Sequence, residues 1–294
     1  MRVERWIQKN TKRLDGKTVA VTGSTGGIGM ELCRHLAALG ADLVLLNRSL
    51  SRSESQKALL LAEYPHIKIT ILTVDLENFQ SVKAVSERLK SIPLDGLIHN
   101  AGAYSIPRKA CETGFDNVFQ INFVSPYYLT RELLPHLQKR NGRVVAVGSI
   151  AHNYSKINPS DMDFSTYKAA SKVYGNAKRH LTYGLLELFA NQENAHLSIT
   201  HPGITFTNIT AHYPKVIFAL IKHPMKIIFM KPQKAALCVL DGLFEDCSPE
   251  QWIGPRWLDI WGSPKRKPLK TASQAERVQI AQRAEDIYIK LQKM

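Results

Sequence analysis

The sequence has few cysteines and no long apolar run, and each absence excludes a class of protein. Its four cysteines, Cys33, Cys111, Cys238 and Cys247, form no Cys-x-x-C pair and have no neighbouring histidine pair. A disulfide framework and a metal site are therefore not indicated, and we expect a reducing, cytoplasmic compartment. No apolar run approaches the roughly 20 residues that span a bilayer. The charged N-terminal stretch lacks the apolar core of a secretory signal.

Composition and charge exclude further classes of protein. Hydrophobic residues make up 44% and charged residues 22% of the 294-residue chain, a balance that excludes general disorder. The net charge is +14, with basic residues concentrated near the start and in residues 264–270. Such an excess favours nucleic acid, an anionic membrane surface or a phosphate-bearing ligand. Because the basic residues lack the motif context and interleaved aromatics of a nucleic-acid module, we predict no nucleic-acid partner.

Short β-branched segments alternate with helical patterns from Lys17 onward. The segments read TVAVTG, DLVLLN, IKITILTVD, DGLIHNAG, GRVVAVGS and LSITHPG. Nearly continuous apolar runs are typical of strands that are buried on both faces of a parallel sheet. We therefore predict an α/β fold, a Rossmann-type doubly wound parallel sheet with helices on both faces and ligands at the carboxyl ends of its strands.

We predict one domain, residues 17–271, after a basic extension, residues 1–16. Residues 272–294 are predicted to form a C-terminal amphipathic helix that packs back on the body. The apolar positions at helical spacing are Val278, Ala281, Ala284, Ile287, Tyr288 and Leu291.

A glycine-rich segment, TGSTGGIG, links the first predicted strand to an amphipathic helical pattern. Gly23, Gly27 and Gly29 stand where the chain turns sharply, approaches a pyrophosphate and packs helix on sheet. The free N–H groups and the positive dipole end of that helix favour a phosphate. The segment therefore indicates a dinucleotide site, with a glycine-rich turn that holds no ligand as the alternative.

Asn47 and Arg48 stand at the end of the second predicted strand. A cofactor with a free ribose 2′-hydroxyl normally meets an Asp or Glu at this point, whereas a guanidinium suits the 2′-phosphate of NADP. We therefore predict NADP(H) in preference to NAD(H). The alternative is that Arg48 only faces solvent.

Tyr174 and Lys178 stand four residues apart in the segment VYGNAKRHL. On a helix they share a face, and a neighbouring ammonium lowers the pKa of a phenol. The pair is thus a candidate proton donor, against the alternative of a half-buried tyrosine beside a solvated lysine. Tyr167 is a rival, but Ser171 stands four residues after it and Lys172 five, a step of about 500° that leaves the face.

Together these segments resemble the short-chain dehydrogenase/reductase family over almost the whole chain. Three further segments carry the resemblance: VDL at 74–76, NAG at 100–102, and HPGITFT at 201–207. The long stretch between GRVVAVGS and Tyr174 resembles the retinol-dehydrogenase-like branch. The resemblance implies a cofactor site made of Gly23, Ser24, Thr25, Gly27, Ile28, Gly29, Asn47, Arg48, Asp75, Leu76, Asn100, Ala101, Gly102, Tyr174, Lys178, Pro202, Gly203 and Thr207.

The resemblance also implies four catalytic residues: Asn122, Ser149, Tyr174 and Lys178. Tyr174 would be the acid/base, Ser149 would orient the substrate oxygen, and Lys178 would lower the pKa of the phenol and hold the nicotinamide ribose. By the same resemblance, the main-chain oxygen of Asn122 would bind a water in a proton relay. Pro126, four residues on, has no N–H for that oxygen, so we expect a helix kink there. His152 and His201 are expected to be structural.

The most apolar stretch of the chain follows, within residues 204–231. By the resemblance it would form a mobile lid, and an apolar lid favours a lipophilic alcohol or carbonyl substrate. Interleaved lysines leave a second interpretation open, a lid that also contacts a membrane peripherally. The segment WIGPRWLDIWGSPKRK is interpreted either as closing the pocket or as a structural cap.

We predict an enzyme, an NADP-dependent oxidoreductase that interconverts an alcohol and its ketone or aldehyde. The alternative is a non-catalytic NADP-binding regulatory protein on the same fold, against which the complete catalytic set argues. An epimerase or dehydratase of the same fold is a third possibility, although the larger substrate domain of such relatives is absent. The resemblance also leaves a homodimer or homotetramer open, through the two helices that would include Tyr128 and Leu181.

Overall fold

The structure is a computed structural model that describes residues 2–205, 230–244, 248, 250–269 and 272–294. The strands are β1 (Thr18–Thr22), β2 (Asp42–Asn47), β3 (Ile69–Thr73), β4 (Gly96–His99), β5 (Gly142–Val147), β6 (Ala195–Thr200), β7 (Gln251–Trp257) and β8 (Trp261–Pro268). The helices are α1 (Val3–Asn10), α2 (Gly27–Ala38), α3 (Leu50–Glu63), α4 (Phe79–Lys90), α5 (Asn117–Phe119), α6 (Ser125–Gln138), α7 (Ala170–Phe189), α8 (Pro232–Asp241) and α9 (Gln274–Gln292). A π-helical turn, Gln120–Val124, precedes α6, and a 3₁₀ turn, Ile150–Tyr154, follows β5.

The strands form one sheet in the order β3-β2-β1-β4-β5-β6-β7-β8. Strands β1 to β7 are parallel, and β8 pairs antiparallel with β7. The chain order reverses between β1 and β4, which creates the crevice where such sheets bind ligands. The predicted doubly wound sheet and its six strands are confirmed, whereas the β7–β8 hairpin was not predicted.

Apolar clusters cover both faces of the sheet, which is why its strands read as continuous hydrophobic runs. One cluster joins the sheet to α4, α6, α7 and α9 and includes Phe79 and Leu181. The other joins it to α1, α2, α3 and α8 and includes Leu36 and Leu237. The basic extension contributes to the second cluster, because Trp6 of α1 is only 8% exposed.

The C-terminal helix packs on the body, and three of its six predicted apolar positions, Ala284, Ile287 and Leu291, are buried there. Its buried residues are Ile280, Ala284, Ile287 and Leu291. Val278, predicted to be apolar contact, is 55% exposed. The observed spacing of four, three and four residues follows one helix face, and a residue two positions before Ile280 points about 200° away from it.

Within the described ranges, none of the helices combines the length and the apolar composition that crossing a bilayer requires.

Candidate active site

The carboxyl edge of the sheet brings most of the predicted site residues together, because parallel strands end on the same side. The edge carries residues 23–29 after β1, Asn47 and Arg48 at β2, Asp75 and Leu76 after β3, residues 100–102 after β4, Ser149 after β5, and Pro202 and Gly203 after β6. Thr207 and most of the predicted lid lie outside the described residues.

The glycine-rich segment has the close packing that a phosphate loop needs. Gly23 has a φ of 63°, and a Cβ there would lie 2.9 Å from Cα of Ala101. A Cβ at Gly29 would lie 2.3 Å from the Gly23 carbonyl oxygen. Helix α2 begins after Gly26, which has no side chain to cap the first N–H groups. The loop therefore presents backbone donors and a positive helix end, which fit a pyrophosphate.

Asn47 supports this loop from inside the protein. Its buried Nδ2 donates to the hydroxyls of Ser24 (2.7 Å) and Ser53 (2.9 Å), and its Oδ1 accepts from the Thr25 amide (3.3 Å). The Ser24 hydroxyl in turn donates to Gln56 Oε1 at 2.8 Å. The side chains of Asn47 and Ser24 thus fix the shape of the loop.

Arg48 is exposed at the end of β2, and a second exposed cation, not identified from the sequence, follows four residues later. Arg52 lies exposed in the first turn of α3, whose N-cap Ser49 accepts from the Arg52 amide at 3.4 Å. A cation at a helix N-terminus opposes the helix dipole. That unfavourable placement is the signal from which Arg52 is identified as a further phosphate ligand candidate.

The turns after β3 and β4 are held by short hydrogen bonds. The Asp75 amide donates to Ser81 Oγ at 3.0 Å, and the Leu76 carbonyl accepts from Ser125 Oγ at 2.6 Å. Asn100 Nδ2 donates to the carbonyl oxygens of Thr22 and Gly23, both at 3.0 Å. The turn of residues 100–102 is thereby anchored on the glycine-rich loop.

A cavity of about 290 Å³ opens beside the turn after β3. It is lined by Asp75, Glu77, Asn78, Lys109, Ala110, Cys111 and Glu112. Neither Tyr174 nor Ser149 contributes to its wall, and three carboxylates among its lining residues do not suit a phosphate. We therefore do not assign it to the reaction.

Tyr174 and Ser149 meet at the carboxyl end of β5. Tyr174 lies on α7, half-buried, and the Ser149 side chain lies close enough to its phenol to lower the pKa of that phenol. The Ser149 hydroxyl also caps the 3₁₀ turn by accepting from the Ala151 amide at 3.2 Å. Tyr104, another residue that the sequence reasoning missed, packs edge-to-face against Tyr174 with ring centroids 5.3 Å apart. The two hydroxyls are thus fixed side by side.

Lys178 lies one turn further along α7 and is 2% exposed. Its Nζ donates to the Val147 carbonyl at 2.8 Å and lies 5.7 Å from the centroid of the Tyr174 ring. Burial lowers the pKa of Lys178 from 10.5 to about 7. The predicted shared helix face is therefore present, but the amine is only partly charged at neutral pH.

The predicted effect of Lys178 on the phenol is wrong for this structure. Burial raises the pKa of Tyr174 from 10.0 to about 12, and the hydrogen bond with Ser149 lowers it only in part. The reason is desolvation, which disfavours both the phenolate and the ammonium in the same buried space.

Lys178 should make the stability of the cofactor-free protein depend on pH. Since its folded pKa of about 7 lies below the unfolded value of 10.5, the unfolded chain binds more protons between these values, and the free energy of unfolding rises with pH. We expect a rise of about 2–3 kcal/mol between about pH 7 and pH 9 that Lys178→Met lacks. Urea unfolding at several pH values measures it, and equal slopes in the two proteins would contradict the assignment.

Asn122 lies in the π-helical turn, at the position where the kink is predicted. Pro126, in the first turn of α6, lacks the N–H of a regular helix, and the wider turn accommodates its ring. Asn122 Nδ2 donates to the carbonyl oxygens of Ala103 and Val118, both at 2.8 Å. A Cβ at Gly102 would lie 2.9 Å from Asn122 Oδ1 and 3.6 Å from Nζ of Lys178. Glycine at this position therefore keeps the approach to both groups clear.

The rival tyrosine lies outside the helix. Tyr167 precedes α7, is 36% exposed and stacks on Phe164 at 4.1 Å. Arg108 fixes this part of the loop by donating to the carbonyl oxygens of Phe164 (3.0 Å) and Tyr167 (3.1 Å) and by pairing with Asp116. Tyr167 therefore has a structural position.

His152 and His201 flank Trp252 behind the site. His201 stacks on the indole at 5.2 Å, and His152 meets it edge-on at 5.2 Å. Burial lowers the pKa of both imidazoles, that of His201 to about 4. Neutral, packed rings fit the expected structural role.

A buried ion pair ties the site to the C-terminal helix. Arg179, next to the catalytic lysine candidate, is 2% exposed and donates to both carboxylate oxygens of Glu276 at 2.6 Å. Its third contact is the His152 carbonyl in the 3₁₀ turn, at 2.8 Å. The turn that begins with Ser149 is therefore braced from α9.

Comparison with known proteins agrees with this geometry. The family model described as short chain dehydrogenase matches residues 17–215. Polyprenol dehydrogenase of Homo sapiens is 29% identical over 208 residues, which cover 67% of this chain and 63% of that protein. Retinol dehydrogenase 12 of Mus musculus is 28% identical over 269 residues, which cover 88% of this chain and 84% of that protein.

A solved structure supports the fold. The short-chain dehydrogenase from Sphingobium yanoikuyae in complex with NADPH superposes with a TM-score of 0.62 at 22% identity, covering 77% of this chain and 83% of that one. The chain belongs to the short-chain dehydrogenase family and with it to the NAD(P)-dependent oxidoreductases that act on CH–OH groups.

Proposed function

We propose that this protein is an NADP-dependent oxidoreductase that interconverts a lipophilic alcohol and its ketone or aldehyde, with Tyr174 as the acid/base. The observation that carries the proposal is the convergence of the Tyr174 phenol, the Ser149 hydroxyl and the buried Lys178 amine at the carboxyl edge of the sheet. The phenol stays protonated at neutral pH, because its pKa is about 12. Tyr174 therefore carries the proton that reduction transfers to a carbonyl oxygen.

The residues around Tyr174 have separate roles in the proposed reaction. A bound nicotinamide cofactor supplies or accepts the hydride at the substrate carbon. Ser149 hydrogen-bonds the substrate oxygen and fixes its distance from the phenol. Lys178 holds the nicotinamide ribose and, with a pKa of about 7, exchanges protons near neutral pH. The main-chain oxygen of Asn122 binds a water that relays a proton to Lys178, and its side chain holds the π turn by donating to the Val118 carbonyl.

The cofactor site fits a dinucleotide that carries an additional phosphate. The uncapped start of α2 suits the pyrophosphate, and exposed Arg48 and Arg52 at the end of β2 suit a ribose 2′-phosphate. The side chain of Asn47, the other residue predicted there, is buried in the loop network. Discrimination between NADP and NAD thus rests on the two guanidinium groups.

Arg48→Ala is expected to weaken NADPH binding by about one to two orders of magnitude, since a charge-assisted contact contributes about 1.5–3 kcal/mol. NADH binding should change little, because NADH has no 2′-phosphate. Fluorescence titration with both cofactors measures the two constants. Arg88→Ala, which removes a cation from the last turn of α4, is the matched control. Equal losses for NADPH and NADH would contradict the assignment.

A lipophilic substrate is supported by the apolar sequence of residues 204–231 and by the relatives named for retinol and polyprenol. The proposal is tested by following reduced-nicotinamide absorbance with NADPH and NADH across small polar, long-chain, retinoid-like and steroid-like carbonyls and alcohols. Turnover that favours NADPH and lipophilic compounds is expected. Tight NADPH binding without turnover of any compound would favour the regulatory alternative.

We propose that copies of this chain do not associate through the face formed by α6 and α7. Tyr128 and Leu181 are both buried, and Tyr128 packs against Tyr288 of α9 with ring centroids 5.8 Å apart. A homodimer or homotetramer through these two helices would have to displace α9.

The proposed compartment is the cytoplasm, in keeping with the free thiols of Cys33, Cys111 and Cys238.

A further inference from the structure

The tip of the β7–β8 hairpin, residues 256–261, exposes an unusual group of apolar side chains. Trp257 is 65% exposed, Leu258 78% and Trp261 39%. Elsewhere in the described part of the chain, large exposed apolar residues occur singly. The other two tryptophans of the sequence, Trp6 and Trp252, are buried at 8% and 3%. Trp257 and Leu258, adjacent residues that are both more than half exposed, indicate a contact surface.

The backbone of the tip holds Leu258 in a strained conformation. The Ile260 amide donates to the Trp257 carbonyl at 2.9 Å and closes a two-residue turn. Leu258 and Asp259, its central residues, have φ values of 51° and 58°. Hairpin turns of this form favour Asn-Gly, since a leucine in the left-handed region is strained. A residue that is both strained and exposed points to a contact outside the fold.

The tip lies at the catalytic edge of the sheet. Strand β7 is parallel to β6, so its last residue, Trp257, is at the same edge as Ser149. A Cβ at Gly203 would lie 2.8 Å from the Ile260 carbonyl oxygen. The hairpin therefore packs directly beside the segment that follows β6 in the site.

The charge around the tip is positive. The hairpin, residues 251–268, holds four basic residues and one acidic residue, for a net charge of +3. Its one carboxylate, Asp259, pairs with Lys267 at 2.9 Å. Arg256 and Lys265 are exposed. The apolar side chains of the tip thus belong to a hairpin with a positive net charge.

We propose that this hairpin tip inserts into the interface of an anionic lipid bilayer and holds the catalytic edge against it. Tryptophan rings settle at the headgroup level of bilayers, leucine reaches the acyl boundary, and basic residues attract anionic headgroups. A projecting tip needs no complementary pocket in a bilayer, whereas a protein partner would need one. The proposal does not depend on the reaction, and vesicle binding is measured without cofactor or substrate.

The test is flotation of the full chain with phosphatidylcholine vesicles and with vesicles that also contain phosphatidylserine. Wild type is expected to float with the anionic vesicles and to lose binding in high salt. Trp257→Ser and Leu258→Asn are each expected to lower binding, and the double variant at least tenfold. Leu258→Asn relieves the turn, so it should fold. Leu59→Asn, at a helix residue that is 54% exposed, is the matched control and should bind like wild type.

Three outcomes would overturn the proposal. Wild type could remain in the dense fraction with anionic vesicles. The hairpin variants could float as well as wild type, which would assign binding to another surface. Wild type could fail to float yet self-associate in a way that the double variant abolishes, which would make the tip a protein interface.

Discussion

Tyr174→Phe is expected to lower turnover by about 10²–10⁴-fold, the range typical of general acid–base catalysis. The substitution removes only the hydroxyl that lies beside Ser149. The ring that packs against Tyr104 at 5.3 Å remains, so the fold and NADPH binding should be unchanged. Steady-state kinetics with the best substrate of the panel, with NADPH titration and thermal unfolding alongside, measure all three.

Tyr167→Phe is the matched control, since it makes the same change in the loop that precedes α7. Its hydroxyl accepts only a long contact of 3.4 Å from Asn158 Nδ2. We expect wild-type turnover from this variant. If Tyr174→Phe retained full turnover with its fold intact, the proton would come from another group. If neither wild type nor variant turned over any compound, the regulatory alternative would gain support.

Glu276→Ala is expected to lower the free energy of unfolding by about 3 kcal/mol, the lower end of the range for breaking a buried ion pair. The reason is that Arg179, 2% exposed, keeps its charge but loses this carboxylate. The lower end applies because Glu276 is 15% exposed. Urea unfolding of the two proteins gives the difference.

The same helix provides a control for the burial of the pair. Glu285 pairs with Arg131 at 2.9 Å, but the two side chains are 40% and 28% exposed. Glu285→Ala should therefore cost less than about 1 kcal/mol. Similar losses in both variants would contradict the special role of the Arg179 pair.

The pH dependence of stability in acid provides a second measurement of the Arg179–Glu276 pair. Burial raises the pKa of Glu276, but the hydrogen bonds and charge of Arg179 outweigh it and hold the pKa below 4.5. A carboxyl with a lowered folded pKa stabilises the protein above its unfolded pKa and loses that contribution as the pH falls. The difference in stability between wild type and Glu276→Ala should thus shrink below about pH 4.5.

The parallel sheet was predictable because its signals are local. Apolar runs such as DLVLLN become strands with both faces buried, and the glycines of TGSTGGIG are required by a turn that leaves no room for side chains. The hairpin β7–β8 was missed because prolines, glycines and tryptophans mask its alternation. Its pairing is decided by contact with β6 rather than by its own pattern.

In the candidate site, too, some features follow from the local sequence and others depend on tertiary packing. Spacing alone put Tyr174 and Lys178 on one helix face, and strand ends put Ser149 on the edge that receives them. Spacing could not give their pKa values, because desolvation depends on how many elements close around a group. Spacing also could not show that the side chain of Asn47, predicted to contact the cofactor, lies in the interior, because that depends on the hydroxyls of Ser24 and Ser53 that it binds.

The sequence by itself determined the family, the order of the strands along the chain and the residues that meet at the carboxyl edge, since these follow from local turns and helix periodicity. Only the tertiary structure decided which groups are charged and which surfaces remain open. Tyr104 joined the site, α9 covered the α6–α7 face, and the hairpin tip stayed exposed. Each of these results depends on contacts between distant segments, for which no local pattern exists.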